Sequence, residues 1–176
     1  MLHSKSVSST IRVATVAAGM LACSIVGAAQ SPSANTTPAT PSATPTPDYH
    51  PSLGDLMTMA VQPRHTKLGL AGQASNWPYA KYEVSELRNA FARIARTIPT
   101  YRNIDMAAVI GALTTEPLKA VEQAINAKDA SHFKSAYAQL TSTCNACHLS
   151  QDHPFVVIRI PGTNPYPDQD FRGPVR

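Results

Sequence analysis

From Ser52 to about His148, apolar residues recur three and four positions apart, the pattern of helices buried along one face. The first stretch runs through Leu53, Met57, Val61, Leu68 and Ala71, opening at Ser52 with Asp55 in its first turn. Pro63 predicts a kink there, and Gly69 and Gly72 weaken the end of the helix. Asn76 is the expected N-cap of the second helix, with Pro78 in its first turn. Its stripe is Ala80, Val84, Leu87, Phe91, Ile94 and Ile98, and Pro99 closes it. The third helix opens near Asp105 with Met106, Ile110 and Leu113 inward, then Leu118, Val121 and Ile125. Between these two sets, Thr114–Pro117 predicts a kink or a restart. Asn126–Lys128 makes the turn, and Asp129 caps a fourth helix with the stripe Phe133, Tyr137, Leu140, Cys144 and Cys147.

Four such helices joined by short turns predict an all-α fold, an antiparallel four-helix bundle over residues 52–148. Its fourth helix would end beside the start of its first. Residues 149–176 follow as an extended C-terminal tail. In it, Pro154–Pro161 is a strand-like apolar run suited to covering the end of the bundle or to docking a partner.

The residues before Ser52 have a different composition. Residues 1–29 read as a signal peptide: Lys5 and Arg12 precede an apolar run from Val13 to Val26, and Gly27-Ala28-Ala29 offers a cleavage site. An exported, periplasmic protein is the expectation. Leu21-Ala22-Cys23 also looks like a lipoprotein processing site, so a lipid anchor at Cys23 is the alternative. Six of the 15 prolines fall between Pro32 and Pro51. Residues 30–51 therefore read as a disordered Ser/Thr/Pro linker, with too few large apolar side chains to offset the entropy of ordering.

The net charge of +4 includes Lys5 and Arg12, and no run of Lys or Arg appears elsewhere. Nucleic-acid binding is not expected. Three cysteines are too few for a disulfide framework.

One short motif carries chemistry. Cys144-Asn145-Ala146-Cys147-His148 is C-x-x-C-H, the attachment sequence for c-type haem. Cys144 and Cys147 would form thioethers to one covalent haem c, and His148 would supply the proximal iron ligand. Three other readings compete. A zinc site wants four ligands, and no second cysteine pair exists. A thioredoxin-like redox pair wants a βαβ setting. A disulfide between cysteines three apart on a helix constrains almost nothing.

A four-helix bundle with C-x-x-C-H at the end of its last helix resembles the cytochrome c-prime family over about Ser52 to His148. The resemblance implies a haem between the helices near one end of the bundle. It also implies either an open sixth iron position that binds a diatomic gas, or a methionine from the first helix in that position and electron transfer.

Met57, inward on the first helix near the level of His148, is the first candidate for a sixth ligand. His65, deeper on the same helix, is the second. Met59 falls on a flank, and His153 could fold back from the tail. Arg64 is a candidate partner for a haem propionate, or else part of a surface ion pair. Trp77 and Tyr137 are candidates to pack on the porphyrin or simply to fill the core. The functional expectation is a mono-haem electron carrier, not an enzyme, serving unidentified redox partner proteins; the alternative is a gas-binding or sensing domain. A helical module without haem is the third class, and a homodimer is compatible with any of them.

Overall fold

A computed structural model describes residues 48–173. The expected signal peptide (1–29), most of the linker and Cys23 lie outside the described residues. The described chain is mostly helical. Helix α1 (Leu53–Leu56), a π-helical turn (Met57–Val61) and α2 (Gln62–Gln73) run on without a break. After them come α3 (Trp77–Thr97), a two-stranded ladder of β1 (Thr100–Tyr101) and β2 (Ile104–Asp105), α4 (Met106–Ala127) and α5 (Ala130–Ser150).

The helix starts follow from their caps. Ser52 accepts from the Asp55 amide while the Asp55 carboxylate accepts from the Ser52 amide, a reciprocal capping box. Asn76, Asp105 and Asp129 cap α3, α4 and α5 through their side chains. Lys128 takes the left-handed conformation that ends α4 (φ 55°). Among the described residues, no helix is long and apolar enough to cross a membrane.

Two expectations change, and a third gains detail. The helical run continues through Pro63. The wider π turn before it absorbs the irregularity, with the Gln62 amide donating to the Met57 carbonyl five residues back. Pro117 does not restart the third helix, which is one element from Met106 to Ala127. The tail run Pro154–Pro161 is not a strand, because its Ile158 amide and carbonyl bond to a side chain rather than to a neighbouring strand. The strands lie instead between α3 and α4, where Arg102 and Asn103 both adopt positive φ (47° and 66°) and make a tight turn.

Helix α2 packs on α3, α3 on α4, α4 on α5, and α5 back on α2. Leu68, Val84, Leu87, Ile94, Val121, Phe133, Tyr137 and Leu140 form the fully buried centre. Gly72 lets the Phe133 ring lie directly on α2, where a Cβ would collide with it. Toward the C-terminal end of α5 the packing changes. Ile110, Leu113, Cys144 and Cys147 continue the apolar stripes but are only half-buried, because there the stripes line a cleft.

Candidate functional site

The cleft lies between the start of the first helix, α4, the last turns of α5 and the tail. Its empty space is about 790 Å³, open mouth included. Met57, Val61, His65, Met106, Ile110, Cys144, Cys147, His148 and Val156 are among its walls. An adjoining cleft shares Met57, Met106, Cys147, His148 and Val156 and extends to Tyr101, Gln151 and His153.

The three residues of the motif present different groups. Both thiols are unpaired. Burial, and secondarily the neighbouring Cys147, push the Cys144 thiol up to about 11. Burial raises Cys147 as well. Thiols held in the protonated form are poor candidates for a redox pair, whose attacking cysteine needs a lowered value. Among the described residues no group of three or more His, Cys, Asp or Glu side chains could hold a bare metal ion.

His148 is oriented. Its Nδ1 lies 2.8 Å from the carbonyl oxygen of Val156. A carbonyl only accepts, so Nδ1 carries the proton and, in the neutral ring, Nε2 is left with its lone pair. An imidazole fixed by a main-chain carbonyl on one nitrogen and free on the other is the usual setting of a metal-ligating histidine. The donor set therefore fits a haem c: two thiols three residues apart on one helix and an adjacent histidine locked in the ligating tautomer.

The tail supplies that lock, and Asn145 holds the tail. The Asn145 amide donates to the Ile158 carbonyl (2.9 Å), and the Ile158 amide donates to Asn145 Oδ1 (2.7 Å). Sequence reasoning passed over Asn145 as a spacer in C-x-x-C-H. Asn145 lies off the apolar stripe, and nothing in the local sequence marked its role. Met106 was read only as packing, yet it lines both clefts and is buried.

The remaining candidates separate clearly. Met57 is half-buried and lines both clefts with His148. Met59 is exposed, as its helical position implied. His153 donates its main-chain amide to the His148 carbonyl, capping α5, and lines the outer cleft. His65 is buried, with Nε2 3.0 Å from Thr141 Oγ1 and Nδ1 3.1 Å from Tyr137 Oη. With both ring nitrogens engaged, it keeps no lone pair free for iron in this arrangement. Burial also holds its pKa down at about 4.

Arg64 stands apart from the cleft. Its Nη1 lies 3.3 Å from both carboxylate oxygens of Glu83, its Nη2 3.6 Å from Glu86. Glu83 is almost wholly buried, so Arg64 is committed to compensating that charge. Trp77 packs edge-on against Phe133, and Tyr137 stacks on both Phe133 and His65, so both serve the core.

The chain matches no family model, and no curated protein or solved structure matches it.

Proposed function

We propose that this chain is an exported mono-haem c-type cytochrome that passes single electrons between redox partners. In this reading residues 1–29 direct export, and the helices form an antiparallel four-helix bundle of the cytochrome c-prime kind. One observation carries the proposal: within a C-x-x-C-H motif, His148 Nδ1 is fixed by the Val156 carbonyl at 2.8 Å, which leaves Nε2 free beside two cysteine thiols.

Cys144 and Cys147 would hold the haem by thioether bonds, and His148 would bind its iron through Nε2. When bound, the haem supplies an iron that changes by one electron between its ferric and ferrous states. The chain's own residues do the rest. Val156 keeps the His148 ring from rotating. Asn145 pins Ile158, so the tail covers the motif. Val61, Ile110 and Leu113 give the cleft apolar walls, which limit water and favour the less charged state of whatever lies there. Met57, which lines the same cleft, would complete the coordination, and this suits electron transfer with little rearrangement.

The test is a mass measurement on the full chain expressed with a cytochrome c maturation system. One covalently added haem per chain is expected, lost when Cys144 and Cys147 are both changed to alanine. Exported, folded protein carrying none would refute the proposal.

A further inference from the structure

Four polar contacts surround His65. Nδ1 meets Tyr137 Oη at 3.1 Å and Nε2 meets Thr141 Oγ1 at 3.0 Å. Tyr137 Oη also lies 2.8 Å from the His65 carbonyl, and Thr141 Oγ1 lies 2.9 Å from the Tyr137 carbonyl. Each contact needs one proton. A neutral imidazole and two hydroxyls bring three between them, whereas an imidazolium and the same hydroxyls bring four. With the ring charged, both N–H groups donate to the hydroxyls and both hydroxyls donate to the carbonyls, and no heavy atom moves.

Burial opposes that charge. Of the ionisable groups that α5 turns to the network and the cleft, Tyr137 is held neutral by burial, while Cys144 would be an uncharged thioether and His148 an iron ligand in the haem-loaded chain. The walls that α3 and α4 contribute to this cleft are uncharged: Phe91 from α3, and Met106, Ile110, Leu113 and Thr114 from α4. Within α2, Arg64 is turned to Glu83 and Glu86. The cage thus favours the proton and the low-dielectric surroundings disfavour it. A negative charge added to the same cleft shifts that balance toward protonation. His65 lines the cleft that Cys144, Cys147 and His148 line.

We propose that His65 takes up one proton for each electron the site accepts. The inference rests on the haem reading above. The electron comes from the redox partner and reduces ferric to ferrous iron. The proton comes from water and binds the imidazole lone pair, so the net charge of the cleft is unchanged. Oxidation releases both.

The experiment uses the haem-loaded full chain, its covalent haem first verified by mass. Midpoint potentials are measured against pH for the wild type and His65→Gln, and the histidine ring nitrogens are followed by 15N NMR in both oxidation states. The wild-type potential should fall as pH rises over a window opening near pH 4, and His65→Gln should lose that fall. His65 should titrate at higher pH in the reduced protein. The same slope in both proteins, or one titration point in both oxidation states, overturns the proposal. If His65→Gln does not fold, the wild-type NMR titration decides alone. A chain without covalent haem overturns this inference together with the function it rests on, and the initial mass distinguishes that failure.

Discussion

Asn145 and Ile158 exchange two hydrogen bonds, at 2.9 and 2.7 Å, as though the asparagine side chain were the neighbouring strand that the tail lacks. One helical turn on, His148 holds Val156. Val156 and Ile158 are two apart on an extended segment, and Asn145 and His148 are three apart on a helix, so each pair falls on one side of its element. The tail is thereby laced to the motif at two points, and the lacing orients the candidate iron ligand.

Asn145→Ala removes both bonds and leaves the Ile158 amide and carbonyl without these partners. At about 0.5–1.5 kcal/mol per bond, a loss of roughly 1–3 kcal/mol is expected. Denaturant unfolding measures it, and hydrogen exchange of residues 154–160 should quicken. An unchanged midpoint together with unchanged exchange would show that the tail holds by other contacts.

Gly72→Ala tests the close approach of α5 to α2. Its new methyl group would overlap the Phe133 ring, which is buried and stacked on Tyr137. Overpacking of this kind costs about 1–3 kcal/mol. Thermal unfolding should show the loss despite alanine's better helix propensity; a gain in stability would mean that the ring moves aside freely.

The buried state of His65 makes stability depend on pH. Its folded pKa of about 4 lies below the ordinary 6.5, so between these values the unfolded chain binds more protons. The contribution is present above pH 6.5 and is lost as pH falls to about 4. Its size is at most about 3 kcal/mol. Burial raises Glu83 above its ordinary value despite Arg64, and this works in the opposite direction, with stability lost as pH rises through its folded pKa. Comparing wild type with His65→Gln in the oxidised state separates the two. The wild type should lose more stability than the variant on acidification, and parallel curves would contradict the assignment.

Much of this was legible in the sequence because local rules agreed with one another. Ser52, Asn76, Asp105 and Asp129 cap where side-chain chemistry says they should, and the stripe of α3 is buried almost to its end. What escaped depended on tertiary context. The π turn at Met57–Val61 has no compositional mark, and the Arg102–Asn103 turn lacks the glycine that usually signals one. Pro117 stays within a helix whose neighbours hold it on both sides. Asn145 gained its role only when the tail folded back against it. Arg64 was drawn from the candidate site by Glu83, a pairing nineteen residues away in the chain.

Met57 and Met106 both line the cleft, and their substitutions should differ. Met57→Ala should convert a low-spin spectrum to a high-spin one at little cost in stability, since Met57 is half-buried. Met106→Ala should cost about 2–5 kcal/mol, because it empties a buried position, while keeping the low-spin bands. Absorption and thermal melts of the two variants check this; the reverse pattern of spectra would assign the ligand to Met106.

The most direct test of the account is the ultraviolet–visible spectrum of the full chain matured in a host that attaches haem c, recorded oxidised and reduced, with and without carbon monoxide. A covalent haem with a sharp reduced α band that carbon monoxide leaves unchanged is the predicted result: an iron held by His148 and a second protein ligand, and an electron carrier. A band that carbon monoxide shifts would contradict electron transfer through a closed site, and exported protein with no haem at all would contradict the assignment of Cys144, Cys147 and His148.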